Sequence, residues 1–264
     1  MHVGVIGLGI VGGAVHEGLI NLGHDVRGHD IKLGTEIQSV LDTEICFVCV
    51  PTPSNDDGSC NTIIVEEVVS DLNEFKYKGV VALKSTITPG TTTRLSEKFP
   101  DLTICFVPEF LRERCAVSDF IENHDLCVIG TTSSNVFEAV KECHGSYPEE
   151  FLQLAPTEAE LIKYFNNVHN ALLVTFANCF YQVCEELGAN YTNVKSAAVK
   201  RPHIHDSYLD CNEEMRGFGG PCLPKDTRAL ASLVREHNMD IELFNIMLKE
   251  NNKYKTTVWP GMRE

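Results

Sequence analysis

Short solid blocks of apolar residues alternate with amphipathic stretches over the first half of the chain. Val3 to Ile6 is the first block. A glycine-rich turn, a helical pattern to about Leu22 and a second strand ending at Asp30 follow it. ICFVCV then runs into Pro51-Thr52-Pro53, and a helical spacing covers about Ile63 to Phe75. GVVALKST, LTICFVPEF and DLCVIG read as three more strands, and GTTTRLSEKF and SSNVFEAVKECHG as helices. Such alternation predicts a mostly parallel sheet covered by helices on both faces.

After Pro156 the texture changes. TEAELIKYFNNVHNALLVTFANCFYQVCEELGAN keeps apolar residues at helical spacing, opens with a Thr157 to Glu160 capping box and closes at Gly188. It predicts one long helix, apolar around much of its circumference, which must be covered by its own domain or by a partner subunit. KDTRALASLVREH and IELFNIMLKENNKY predict further helices, so the second part is all-helical.

The first glycines carry chemistry. Gly7, Gly9 and Gly12 join a strand to a helix inside one strand-turn-helix-strand unit, the context of a dinucleotide fingerprint. Gly7 permits the turn, Gly9 lets the backbone approach a pyrophosphate, and Gly12 lets helix and strand pack closely, with phosphates at the helix N-terminus. Asp30 stands where a carboxylate accepts hydrogen bonds from the adenosine ribose, which favours NAD over a 2′-phosphorylated cofactor. The fold class is therefore α/β: a Rossmann-like doubly wound parallel sheet over residues 1–155, followed by an all-helical domain over 156–264 with a long central helix. Ligands of such sheets lie at the carboxyl ends of the strands, so Thr52, Thr86 and Glu109 are expected near one crevice. Taken singly, either threonine is explained by turn and cap chemistry.

A second motif is GFGGPCLPKD, Gly217 to Asp226. Proline followed by charged residues begins a helix, so Cys222 is expected just before a helix N-terminus, where the peptide dipoles favour a thiolate. The bland alternative is a buried cysteine beside an ordinary turn. Lys163 and Asn167, four apart on the long helix, share one of its faces.

Composition narrows the field. With 264 residues, 43% of them hydrophobic, the chain can bury a sizeable core. A formal charge of −15 argues against nucleic-acid binding, which needs clustered Lys and Arg. No apolar run reaches the roughly 18 residues of a membrane span and no basic leader opens the chain, so a cytoplasmic protein without a membrane partner is expected. The eleven cysteines are scattered through apolar segments, which reads as reduced core residues rather than a disulfide framework. Cys46 and Cys49 form a CxxC pair, but on a strand they face opposite sides; His203 and His205 lack a third ligand at a recognisable spacing, so no metal is expected.

Taken together, GLGIVG, VPTP (Val50 to Pro53), KSTITPGT (Lys84 to Thr91), PEFLRE (Pro108 to Glu113), ELIKYFNN (Glu160 to Asn167) and GFGGPCLPKD resemble the UDP-glucose and GDP-mannose dehydrogenase family, in the family's order and across most of the chain. The resemblance implies a Rossmann domain joined through a long helix to a helical dimerisation domain, a homodimer, and NAD-dependent oxidation of the C6 alcohol of a nucleotide sugar to a carboxylate by two hydride transfers. It implies Cys222 as the nucleophile that forms a thiohemiacetal and then a thioester. Lys163 and Asn167 then stabilise charge on the substrate oxygen, Asp226 and Thr86 orient a water, and Glu109 serves thioester hydrolysis. The implied cofactor contacts are Gly7, Gly9, Ile10, Val11, Gly12, Asp30, Thr52, Thr86 and Glu113. Those to the sugar nucleotide are Glu109, Phe110, Leu111, Lys163, Asn167, Phe218, Gly219 and Lys225. For Glu109 and Glu113 the alternative is a pair of acids at a helix start.

Two departures stand beside the matches. Family members continue into a second Rossmann-like domain that closes over the nucleotide, whereas this chain stops at Glu264; and His203 stands where the family tends to carry an arginine, with Arg201 and Arg216 nearby. The rival expectations are a 3-hydroxyacid or 6-phosphogluconate type of dehydrogenase, which needs no thiol, and a non-catalytic NAD-binding remnant.

Overall fold

The computed structural model describes residues 1–255. It divides into two compact units: the first takes Met1–Pro53 and Cys60–Lys163, the second Ser54–Ser59 and the chain from Tyr164.

The first unit is built on strands β1 (His2–Ile6), β2 (Asp25–His29), β3 (Ile45–Val48), β4 (Val80–Leu83), β5 (Thr103–Phe106), β6 (Leu126–Gly130) and β7 (Glu150–Leu154). They form one sheet in the order β2-β1-β3-β4-β5-β6-β7, parallel except where β5 meets β6 through the antiparallel pair Phe106 and Gly130. Helices α1 (Ile10–Asn21), α2 (Ile63–Glu74), α3 (Thr91–Lys98), α4 (Ala116–Ile121) and α5 (Ser134–His144) cover it. On one face Cys46, Val48, Val81, Leu83 and Phe106 pack with Val65, Val69 and Leu72 of α2 and Leu95 of α3. On the other, Val3, Val5, Ile45, Phe47 and Cys105 pack with Ala14, Val15 and Leu19 of α1, Phe120 of α4 and Val140 of α5. The doubly covered sheet expected from the solid apolar runs is the sheet observed. Cys46 and Cys49 pack on opposite faces, as the two-residue period of a strand requires.

The long helix α6 runs from Pro156 to Glu186. Its capping box differs from the expected one. Because Pro156 occupies the first helical position, the acid that reaches back is Glu158, whose Oε2 accepts from the Ala155 N–H at 2.8 Å. Glu160, two residues too late to cap its own helix, caps another. Its buried carboxylate accepts from Gly90 N (2.5 Å), Thr92 N (2.7 Å) and Thr92 Oγ1 (2.6 Å) at the start of α3. Three elements were not anticipated: β7, α4, and α7 (Tyr191–Ala198).

The second unit holds most of α6 together with α7, α8 (Leu223–Glu236) and α9 (Leu243–Asn251). Its core has two patches, one around Ala177, Cys184, Tyr191, Leu209 and Cys211, the other around Val168, Ala171, Phe218 and Met247. Among the described residues no helix is long and apolar enough to cross a membrane.

Candidate active site

The glycine turn follows β1 directly. Gly7 has φ +86°, open to glycine without strain, and a Cβ there would lie 2.8 Å from the Cys49 carbonyl oxygen. At Gly12 a Cβ would lie 1.8 Å from the Gly7 carbonyl oxygen, so only a hydrogen lets α1 start this close to the strand. Gly9, by contrast, has nothing within 4 Å of its would-be Cβ among the described residues, and it is the N-cap of α1 with no side-chain cap. α1 thus starts with no side-chain cap and with open space beside Gly9, the form an anion site at a helix N-terminus takes. Asp30 closes the turn from β2: its Oδ2 accepts from Leu8 N at 2.7 Å and its Oδ1 from Lys32 N at 2.8 Å. Each oxygen keeps a second lone pair for a ribose hydroxyl. A groove of about 730 Å³ beside α1 brings Ile10 together with Glu113, Arg114 and Cys115.

At the carboxyl end of β4, Ser85 Oγ donates to Val50 O at 2.6 Å, tying that loop to the one carrying the buried Thr52. Thr86 is half-buried, and its carbonyl accepts the Cys60 thiol proton at 3.4 Å. Beyond β5 lies the main polar feature of this unit. Lys163 Nζ donates to Glu109 Oε1 at 2.8 Å and to the Glu109 carbonyl oxygen at 2.6 Å, with the two side chains 5% and 11% exposed. Leu111 N donates to the other carboxylate oxygen at 2.7 Å, and the Phe110 ring lies 5.8 Å below the ammonium. Burial pushes the Glu109 carboxyl up, but the Lys163 charge and hydrogen bond, the Leu111 amide and the Lys84 charge together hold it below its ordinary value. An ionised, buried carboxylate of this kind can accept a proton from water or steady a cation. The helix-start alternative fits Glu113, which opens a 3-10 turn ahead of α4, and not Glu109.

The loop after Glu109 is stapled to α4 by residues the sequence reading did not single out. Arg112 donates through its backbone N (2.8 Å) and Nε (2.9 Å) to Asp119 Oδ2 and through a terminal nitrogen to Oδ1 (2.6 Å). The Arg112 hydrogen bonds hold the Asp119 carboxyl low against the effect of burial. A charged pair seven residues apart, spanning a turn, leaves no periodic signal to find.

In the second unit α8 begins where Pro224-Lys225-Asp226 implies, and Cys222 is its N-cap. Of the cysteines Cys222 is the exposed one, so the bland alternative of a buried thiol does not hold. Asp226 N donates to Cys222 O at 2.9 Å, closing the first turn. The Asp226 carboxylate is fully buried and bridged: Asn167 Nδ2 donates to Oδ2 and Lys225 Nζ to Oδ1, each at 2.6 Å. Three of the residues singled out from sequence therefore form one cluster, a turn along α8 from a fourth. Phe218, expected at the substrate, has its ring in the apolar core, 2% exposed. His203 and His205 are exposed, and among the described residues no group of His, Cys, Asp and Glu is arranged to hold a metal.

A parallel sheet opened by this glycine turn, with an acid from β2 on the turn itself, defines a dinucleotide-binding fold as the class. Residues 31–147 match the NAD binding domain, and residues 157–253 the central domain, of the UDP-glucose/GDP-mannose dehydrogenase family. The chain belongs to that family, and its cofactor is NAD. Among curated relatives it is 27% identical to UDP-glucose 6-dehydrogenase AglM of Haloferax volcanii, covering 100% of this chain and 72% of that one. It is 30% identical to UDP-glucose 6-dehydrogenase YwqF of Bacillus subtilis, covering 81% of this chain and 50% of that one. Among solved structures, a UDP-glucose dehydrogenase from Pyrobaculum islandicum superposes with a TM-score of 0.86 at 27% identity, over 96% of this chain and 68% of that one. The chain thus spans about half to under three quarters of the length of these proteins.

Proposed function

We propose that the protein oxidises the C6 alcohol of a nucleotide sugar, UDP-glucose to UDP-glucuronate, through a covalent adduct on Cys222. The observation that carries this reading is the exposed thiol at the start of α8, one turn from a buried carboxylate held between an amide and an ammonium. A dehydrogenase that makes one hydride transfer has no use for such a thiol.

The amides at the start of α1 would hold the NAD pyrophosphate and Asp30 the adenosine ribose, with Thr52, Thr86 and Glu113 as further contacts. When bound, NAD would supply the hydride acceptor, one molecule for each of the two oxidations. The Cys222 sulfur adds to the C6 carbonyl carbon, which prevents escape of the aldehyde. The carbonyl oxygen carries developing negative charge, and Lys163 and Asn167 stabilise it by charge and hydrogen bond. Water cleaves the resulting thioester: its oxygen bonds to C6, the carbon–sulfur bond breaks, and the thiol is regenerated. Glu109, ionised by its partners, takes the proton of that water, while Asp226 and Thr86 orient water for proton transfer. Lys225, Phe110, Leu111 and Gly219 complete the sugar contacts.

A homodimer through α6 belongs to the same proposal. Phe165, Leu172, Phe176, Phe180 and Val183 are exposed along that helix at spacings of three, four and seven, one continuous apolar face.

The test is stoichiometric. The wild type is assayed for NADH released per sugar with UDP-glucose, GDP-mannose and UDP-N-acetyl sugars, and the Cys222→Ser variant beside it. Two NADH per UDP-glucose in the wild type, with carboxylate formation lost in the variant, is the expected result. Unchanged turnover in Cys222→Ser, or NADH binding without turnover on any nucleotide sugar, refutes the proposal.

A further inference from the structure

The segment that delivers Cys222 to the start of α8 contains neither helix nor strand from Cys211 to the residue before Leu223. Two of its glycines, Gly217 (φ +65°) and Gly220 (φ +74°), sit in the left-handed region, where the chain has the most freedom to lose. Backbone groups buried in such a segment have no ladder to join, so side chains must satisfy them.

Two asparagines do so from opposite sides. Asn251, on the last turn of α9 and 7% exposed, pairs with both backbone groups of one residue. Its Oδ1 accepts from Phe218 N at 2.6 Å and its Nδ2 donates to Phe218 O at 2.9 Å. Asn178, on α6 and 1% exposed, gathers three donors on Oδ1: Arg216 Nε at 2.7 Å, Gly217 N at 3.1 Å and the Cys211 thiol at 3.6 Å. Its own Nδ2 is anchored to Val174 O at 2.8 Å. The Arg216 guanidinium carbon lies over two rings, 4.7 Å from the Tyr181 centroid and 4.3 Å from the Tyr254 centroid. A side-chain amide carries a donor and an acceptor on separate atoms without charge, so it can pair with the N–H and C=O of one residue as a neighbouring strand would, which an acceptor-only carboxylate cannot.

We infer that Asn178 and Asn251 are positioning residues that clamp Arg216, Gly217 and Phe218 and thereby set where the Cys222 thiol is presented. They touch no reacting atom. Phe218 supplies the anchor, its ring in the core beside Val168, Ala171 and Met247 and its two backbone groups on Asn251. Four residues remain from that anchor to the thiol, too few to absorb a shift of the anchor without moving the sulfur. The inference is tied to the proposed role of Cys222 only through its kinetic arm.

The experiment measures the rate at which iodoacetamide alkylates Cys222, read by peptide mass spectrometry, in the wild type and in Asn251→Ala, Asn178→Leu and Asn178→Asp. Asn178→Asp keeps the Oδ1 acceptor for Arg216 and Gly217, but it sets a second carboxylate oxygen against the Val174 carbonyl and adds a buried charge beside the Arg216 guanidinium. Loss of a buried hydrogen-bond partner is expected to change the alkylation rate about tenfold in Asn251→Ala and Asn178→Leu, with a smaller change in Asn178→Asp, which keeps the acceptor for Arg216 and Gly217. NADH binding, a property of the first unit, stays unchanged in all three. On the reading of Cys222 as nucleophile, the first two variants also release aldehyde with one NADH per sugar. Wild-type alkylation rates in both Asn251→Ala and Asn178→Leu overturn the inference. So does failure of both to fold, which would assign the asparagines to the stability of the unit instead. A wild type that alkylates at Cys222 but oxidises no sugar removes the proposed function and leaves this test standing.

Discussion

Removing Lys163 leaves a carboxylate buried without its main counter-charge, and the cost can be worked from the geometry. Lys163 Nζ and Glu109 Oε1 are 2.8 Å apart, and their side chains are 5% and 11% exposed. At an effective dielectric constant of about 20 their attraction is ~6 kcal/mol, from which the desolvation of two charges takes several kcal/mol. The pair therefore nets little against an apolar replacement, but breaking it from one side is expensive. Lys163→Met is expected to destabilise the protein by about 3–5 kcal/mol, Glu109→Gln by less because the amide oxygen still accepts, and the double variant by less than the sum. Urea unfolding followed by circular dichroism gives the four free energies of the cycle, with a coupling of about 2 kcal/mol or more expected. A pH series adds the sign. In the wild type Glu109 is held below its ordinary value of 4.5, so its contribution is present above that pH and is lost as pH falls through the folded value. In Lys163→Met burial dominates and the folded value rises, so the contribution of Glu109 instead declines as pH climbs from 4.5 toward it. A coupling below about 1 kcal/mol, the range of surface pairs, refutes the reasoning.

Two further outcomes follow from other parts of the first unit. Burial lowers His124 to about 4 and His144 well below its ordinary 6.5, so the unfolded chain binds more protons below pH 6.5. Stability is then full above pH 6.5 and falls by about 1.4 kcal/mol per pH unit for each histidine as pH drops toward 4; urea midpoints from pH 7.5 to 5 check this, and a slope unchanged in His124→Gln would contradict it. The glycines separate binding from folding: Gly12→Ala must displace backbone and is expected to lower both stability and NADH affinity by about tenfold or more. Gly9→Ala, with open space at its Cβ, keeps wild-type stability and loses NADH affinity in a fluorescence titration; equal stability loss in both variants rejects this division.

The elements legible in the sequence were those whose pattern is local. The glycine turn, the solid apolar strands and the 31-residue α6 each carry their signal within one stretch. β7 did not, because EFLQL lies at the sheet edge with two acid or amide side chains and a half-exposed burial pattern, so neither alternation nor a solid run appears. α4, six residues long, is too short for a helical period to show. The capping box slipped because Thr157 and Glu160 satisfy the spacing as well as Ala155 and Glu158 do, and only Pro156 at the first helical position decides between them. At the site, positions were readable and pairings were not. Glu109 and Lys163 lie 54 residues apart, and Asn167 and Asp226 lie 59 apart. No spacing rule reaches that far. Lys84 shows the same limit: it is 3% exposed, with Nζ on the Val107 carbonyl at 3.3 Å and 5.6 Å from the Phe47 ring, a buried ammonium that nothing local announces.

On the proposed mechanism the reaction runs through one sulfur and has to keep the others silent, and this chain carries eleven cysteines. The nucleophilic form is the thiolate, and burial in apolar surroundings suppresses it. Burial raises the Cys49, Cys105 and Cys143 thiols to about 12 and the Cys127 and Cys211 thiols to about 11, and it pushes Cys46 higher still. Cys115 and Cys179, less deeply set, are also raised, first by burial and then by neighbouring carboxylates. Five orders of magnitude separate pH 7 from a value of 12, so Cys49, Cys105 and Cys143 stay protonated at neutral pH. For Cys46, Cys49, Cys105, Cys127, Cys143 and Cys211 the core that takes cysteine as a small apolar residue also disarms it, so their number is compatible with a single exposed thiol. The glycine segment before α8 leaves Cys222 outside such a core.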